Sequence, residues 1–268
     1  MIVTSGPGFC DILVMVDHMP LAGALADSRQ TLELPGGGAP ATAAWASRLG
    51  EPAAVVTCLG GATGSALREA LVAVEVADEP LAGDTVRCLV LITADGERTM
   101  VNLDPVPAPG EVPREAHNLL AAAIVCWSDW PDEATAAAVD GATRAEHRGA
   151  PLRLLQRELA GGRRHQIVIG SERDGISPSD DELGRAGCLL CVITDGARGG
   201  RYWEPQTGWS RFAPEPLPGT FVDSCGAGDA FTAGVLVGIA RGLTGAGAVA
   251  LGAQAAAACC CRPGSFPA

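Results

Sequence analysis

Phe221-Val-Asp-Ser-Cys-Gly-Ala-Gly-Asp-Ala-Phe-Thr-Ala-Gly-Val235 decides how this chain folds. Its spacing predicts a short strand ending at Asp223, a small-residue loop Gly226-Ala227-Gly228, and a helix opened by Asp229. Over Ala230–Arg241, the residues Phe231, Val235, Leu236 and Ile239 recur near 3.6-residue spacing, which gives that helix one buried face. Glycines let backbone N–H groups face a cavity without side-chain obstruction. At a helix N-terminus those donors and the helix dipole favour an anion. An Asp in the same place can take a proton from a hydroxyl beside that anion. An anion hole paired with a general base is what phosphoryl transfer to an alcohol needs. The same residues also suit a plain helix cap, because Asp is a favoured N-cap and Gly a loop former.

Working outward, short apolar runs alternate with Ala-rich segments of helical length. Strands are expected over Asp11–Val16, Ala53–Cys58, Arg87–Thr93, Thr99–Leu103, Ala122–Trp127, Gln166–Ile169 and Leu189–Thr194. Helices are expected over Ala39–Leu49, Gly64–Val74, Asp132–Glu146, Ala230–Arg241 and Gly245–Cys260. Such alternation builds βαβ units and a mainly parallel sheet. Two regions, about 12–34 and 86–104, carry strand-like pieces without an intervening helix. Asp95-Gly96 between two of these pieces is a hairpin signal. They read as a small β-sheet lid on a single domain spanning 1–268. Leu152–His165 is basic, weakly periodic and resists assignment. A second glycine loop, Leu34-Pro-Gly-Gly-Gly-Ala-Pro-Ala-Thr-Ala-Ala44, leads into a helix and allows close backbone approach to a ligand. It also suits an ordinary loop-to-helix entry.

Composition narrows the chemistry. The 268 residues hold 19 basic side chains against 31 acidic ones, a formal charge of −12. That balance argues against a nucleic-acid or anionic-membrane partner. All 19 basic residues are arginine. Without lysine there is no Walker A loop and no Schiff-base chemistry. An anion must be handled by backbone N–H groups, arginine or a metal. The first residues show no basic, apolar leader, so a cytoplasmic location and reduced thiols are expected for the 10 cysteines. Cys188-Leu-Leu-Cys191 and Cys259-Cys260-Cys261 lack partners at metal spacing and read as small buried residues.

Together these motifs resemble the ribokinase (PfkB) superfamily of carbohydrate kinases. Asp223-Ser-Cys-Gly-Ala-Gly-Asp229 is similar to its D-T-x-G-A-G-D signature, and Gly37 to Gly50 to its G-G-x-x-x-N…A-R-L-G signature. The likeness continues at Gly8–Asp11, Gly96–Thr99, Thr194–Gly199 and Arg262–Gly264. It implies a three-layer α/β/α sandwich with a mainly parallel sheet and a small β-sheet lid. By resemblance, Asp229 is the base and Gly226, Ala227 and Gly228 supply the anion hole. The sugar is expected to meet Asp11, Gly37, Gly38, Thr42, Arg98, Asn102 and Asp229. The nucleotide is expected to meet Ser171, Thr194, Gly196, Gly199, Gly226, Gly228 and Gln254. Asp174 would support Mg²⁺ through water and Asp223 a monovalent cation such as K⁺. ATP is the implied phosphoryl donor, and a lid-to-lid homodimer the implied assembly.

The sequence also departs from the pattern. Thr42 or Ala41 stands where Asn commonly ends the first signature, and Ser171 replaces the Asn of an N-x-x-E stretch, with Asp174 retained. Pro151-Leu-Arg-Leu-Leu155 replaces a strand that normally ends in Asp. Gly8–Pro20 and Gly96–Asp104 look like ketohexokinase; Gly36–Ala44 and the Cys-Arg-Pro-Gly264 ending look like bacterial sulfofructose kinases. A sulfonate would need a cationic clamp. Arg29 is one candidate for it, but Asp129 stands where a second Arg would help. The expected acceptor is therefore a neutral ketohexose, ahead of a sulfosugar, ribose or a nucleoside. A sugar- or nucleotide-binding protein on the same fold is the competing reading, motivated by Thr42 and Ser171.

Overall fold

Alternating side chains along buried strands sort the molecule into layers. The computed structural model describes residues 1–267. In chain order the elements are β1 (Ile2–Ser5), β2 (Phe9–Met15), β3 (Gln30–Gly36), α1 (Gly38–Arg48), β4 (Ala53–Leu59), α2 (Gly61–Ala70) and β5 (Glu75–Pro80). There follow β6 (Val86–Ile92), β7 (Arg98–Asn102), α3 (Ala116–Ala122), β8 (Val125–Ser128), α4 (Glu133–Ala142), β9 (His147–Pro151) and α5 (Leu155–Ala160). The chain ends with β10 (Ile167–Ser171), α6 (Asp180–Ala186), β11 (Leu190–Thr194), β12 (Gly200–Glu204), β13 (Gly208–Phe212), α7 (Ala227–Ala240) and α8 (Gly245–Cys259).

The larger sheet has nine strands in the order β13-β12-β11-β10-β9-β8-β1-β4-β5. Its strands pair in parallel except β12 and β13, which add to β11 as an antiparallel edge. Ile2, Val55, Val125, Ile167 and Val192 point to one face, where α1, α7 and α8 cover them. Their neighbours Val3, Val56 and Cys126 point to the other, under α3 and α4. Val168, Cys191 and Ile193 face the α5–α6 side. The period of two in a strand, with both faces covered, is why these strands read as continuous apolar runs. The second sheet, order β3-β2-β6-β7, packs Leu13, Cys88, Val90 and Ile92 against Cys225 of the signature loop.

The three layers and the small lid sheet are present as expected, and Asp95-Gly96 does turn β6 into β7, with Thr93 N–H on the Glu97 carbonyl at 2.9 Å. Several local expectations change. The segment before Asp223 is irregular rather than a strand. Asp223 explains this: its Oδ1 accepts from Cys225 N–H at 2.7 Å and its Oδ2 from Gly264 N–H at 3.2 Å, so the chain is held as a turn. The helix expected to reach Glu146 stops at Ala142, and His147–Pro151 becomes an interior strand. Gly149 makes that possible, because a Cβ there would stand 2.7 Å from the Trp127 ring. Leu152–His165 resolves into a 3-10 turn, Leu152–Leu154, and the short α5.

Helix α7 is buried along most of its length, and its small residues let it sink in. A Cβ on Gly234 would lie 2.6 Å from the Gly252 Cα of α8, and one on Gly238 2.6 Å from the Ala248 Cα. The obstructing atoms are backbone, so they cannot swing aside. Gly234→Val should therefore cost about 1–3 kcal/mol by overpacking, read as a lowered midpoint in thermal or urea denaturation. An unchanged midpoint would contradict this packing.

Candidate active site

The site gathers where α7 begins. Gly226 caps the helix in the left-handed region, φ 74°, and a side chain there would collide with Ser265. Among the described residues no side chain caps the helix. Ala227 N–H turns back to the Ser224 carbonyl at 3.3 Å, so that one member of the expected anion hole is partly engaged. Among the described residues, the N–H groups of Gly226, Gly228 and Asp229 have no acceptor. Uncapped donors of this kind, with the dipole behind them, are a seat for an anion.

Carboxylates converge beside that seat. Asp11, at the start of the lid, is buried and lies directly over Gly36, leaving no room for a Cβ there. Burial first, then the charge of Asp229, pushes its pKa up to about 7, with Arg98 opposing. Asp229 is raised to about 6, by burial and then by Asp129, while Arg98 and Arg153 oppose. The backbone of Gly38 floors this space. A Cβ built on Gly38 would stand 2.9 Å from Asp129 Oδ2 and 3.1 Å from Asp229 Oδ1. Gly37, φ 102°, lets the chain pass so close to Pro7 that its own Cβ would meet that carbonyl at 2.7 Å.

The other expected residues take varied places. Arg98 donates from Nη1 to the Ser224 carbonyl at 2.8 Å, joining the lid to the signature loop. Asn102 is exposed at the end of β7. Thr42 is buried, its hydroxyl on the Asp229 carbonyl at 3.4 Å, so it braces α1 against α7. Ser171 N–H donates to Asp174 Oδ2 at 2.9 Å, which commits one Asp174 oxygen to its own turn. Thr194 donates its hydroxyl to the Gly170 carbonyl at 3.1 Å. Gly196 and Gly199, φ 53° and 82°, shape the loop after β11. An open cavity of about 360 Å³ adjoins that loop, lined by Glu172, Asp195, Arg198, Gly200, Arg201 and Arg211. Gln254 is exposed on α8. Asp223 is fully buried with both oxygens on backbone N–H groups. Among the described residues no cluster of three His, Cys, Asp or Glu could hold a metal. Arg29 pairs with Asp17 on an exposed segment.

From the sequence, Asp129 marks only the absence of a second arginine. It enters the site because β8 ends at Ser128, and Asp129 N–H is held by the Ser5 carbonyl at 2.7 Å. The sequence offers only an acid just past an apolar strand; its meeting with Asp229 comes from the fold.

The chain is similar to known proteins in part of its sequence and in its fold. Residues 171–267 match the model of the pfkB family carbohydrate kinases. Over 89 residues the chain is 37% identical to fructoselysine 6-kinase of Escherichia coli strain K12; the match spans 30% of this chain and 33% of that enzyme. Adenosine kinase from Sinorhizobium meliloti superposes with TM-score 0.81 at 23% identity, covering 99% of this chain and 95% of that one. Arabidopsis thaliana ribokinase, solved with ribose and ATP, gives 0.73 at 20%, covering 99% and 95%. The fold is ribokinase-like, and the C-terminal third, residues 171–267, is similar to the pfkB family carbohydrate kinases.

The raised carboxyls carry a pH prediction. Asp11 binds a proton at higher pH folded than unfolded, so between about pH 4 and 7 the native state holds more protons. Stability then falls as pH rises. Asp11→Asn should stabilise the protein by about 1–3 kcal/mol at pH 8, with the gain vanishing near pH 4. Denaturant titrations at both pH values check this; a gain that persists at pH 4 would contradict the assigned cause.

Proposed function

We propose that this domain transfers the γ-phosphoryl group of ATP to a hydroxyl of a small neutral polyol, with a ketohexose as the favoured acceptor. The observation that carries the reading is the Asp229 carboxylate standing in the first turn of an uncapped helix N-terminus. The hydroxyl oxygen forms a bond to γ-phosphorus as the bond to the departing ADP oxygen breaks, and the hydroxyl proton passes to Asp229. With its pKa near 6, Asp229 is mostly ionised at neutral pH, as a base must be, yet basic enough to hold the proton. The N–H groups of Gly226, Gly228 and Asp229 receive the charge on the transferring group. Arg98, on the lid, brings a cation over the same space when the lid is docked.

The likeness of residues 171–267 to the pfkB family carbohydrate kinases supports ATP as the donor. The Asp174 oxygen not spent on Ser171 is the group that would support Mg²⁺, which when bound would supply neutralisation of phosphate charge. A monovalent cation near Asp223 fits less well, because both its oxygens already accept backbone N–H groups.

Three acids around the acceptor space, against Arg98 and Arg153, favour an uncharged acceptor over a sulfonated or phosphorylated one. The fructoselysine kinase match supports a fructose-like skeleton. The kinship to adenosine kinase and ribokinase keeps nucleosides and ribose in the test panel. The lid sheet would shield the reacting groups from water, and a pair of lids is the interface to examine for a homodimer.

Asp229→Asn should lower kcat for ADP release by about 10²–10⁴-fold with ATP binding retained. Near-wild-type turnover in that variant would remove Asp229 from the role of base.

A further inference from the structure

The 3-10 turn after β9 brings an arginine to the rim of this site. The Arg153 guanidinium pairs with Asp129 Oδ1. The other oxygen, Oδ2, faces the space above Gly38, where it and Asp229 Oδ1 stand 2.9 and 3.1 Å from one point. The next turn holds the same strand end from behind: Arg157 Nη1 donates to the Trp130 carbonyl at 3.0 Å and the Pro131 carbonyl at 2.6 Å. Arg157 is fixed in turn by buried Glu158, which also accepts from Arg163 and His165 at 2.6 and 2.9 Å. One short segment thus holds the Asp129 carboxylate and the backbone of the two residues that follow it.

We propose that Arg153 is a positioning residue for the acceptor pocket. It holds Asp129 by Oδ1, so that Oδ2 stays turned over Gly38 beside Asp229 Oδ1. Two carboxylate oxygens converging on one space suit two donors on neighbouring carbons, a vicinal diol: one hydroxyl for Asp229 and one for Asp129. The proposal rests on the kinase reading for its enzymatic consequence, while the placement of the carboxylates is testable without it.

The charges facing these groups set the expected pH behaviour. Asp229 is faced by Asp11 from β2, Arg98 from β7, Asp129 after β8 and Arg153. The thiols of Cys225 and Cys259, held protonated by burial, are the remaining titratable neighbours. Asp129 is faced by Arg153, Arg157 and Asp229. From α1 the site meets the Gly38 backbone and the Thr42 hydroxyl, neither of which titrates. Arg153 favours the ionised form of both carboxylates, so its loss moves both titrations to higher pH.

The test is a carboxyl ¹³C NMR titration of Asp-labelled full-length protein as wild type, Arg153→Met, Arg153→Gln and Arg153→Lys. Asp129→Asn and Asp229→Asn assign the two signals. Expected are upward-shifted titrations of both groups in the Met and Gln variants, largely restored in the Lys variant, at unchanged melting temperature. In ADP-release assays with fructose, ribose and adenosine as probes, the same variants should raise acceptor KM several-fold and move the acid limb of kcat/KM upward. Wild-type titrations in folded Met and Gln variants would overturn the proposal and leave Arg153 a surface ion pair. A wild-type protein that phosphorylates none of the probes would count against the kinase reading, and the NMR titration would still decide the role of Arg153.

Discussion

The uncapped N-terminus of α7 is the constraint on which the rest of the candidate site depends. A helix start normally hides its first N–H groups behind a capping side chain. Here the cap position is Gly226, in a conformation that only glycine takes without strain, and no side chain follows to fill the donors. That arrangement leaves unsatisfied donors and a helix dipole facing a polar space. The surrounding chain compensates by packing. Gly234 and Gly238 let α7 lie on α8 at backbone contact, and Thr42 fixes α1 to the Asp229 carbonyl. The donors stay in place because the helix behind them has nowhere to move.

The lid is tied to the same loop. Ser224 donates its hydroxyl to the Gly96 carbonyl at 2.9 Å while its own carbonyl accepts from Arg98. Gly96 sits under the Phe221 ring with no room for a side chain. Glu97 pairs with Arg173 across the gap to the main sheet, both carboxylate oxygens taking N–H donors at 2.5 Å. The hairpin tip therefore touches the signature loop on one side and the turn after β10 on the other. Any opening of the lid breaks these contacts together. Each exposed ion pair among them is worth little alone.

The sequence exposed the layers because strand and helix periods are strong where both faces of a sheet are covered. Gly226–Asp229 and the Asp95-Gly96 turn were legible for local reasons: small residues and turn residues act within a few positions. What was hidden depends on distance. Nothing near Asp129 announces that it will meet Asp229, one hundred residues away, and Arg153 lies in a segment with no clear period. Thr42, expected at the ligand, also donates its hydroxyl to the Asp229 carbonyl of α7, a contact across 187 residues that no local pattern shows. The strand expected before Asp223 is lost because its carboxylate captures two backbone N–H groups, a competition no propensity scale contains. The Ala-rich run through α4 concealed where the helix gives way to β9, since alanine carries no boundary signal.

The central claim is that a phosphoryl group passes to an alcohol at Gly226–Asp229. Transfer of label from γ-³²P-ATP, with Mg²⁺ and K⁺ present, to fructose, tagatose, ribose, sulfofructose, glucose or adenosine tests it most directly. The account predicts labelled phosphate ester on one neutral polyol well above the rest. Label that stays in ATP across the whole panel, from protein shown to bind ATP, would contradict it and favour a binding protein built on the kinase fold.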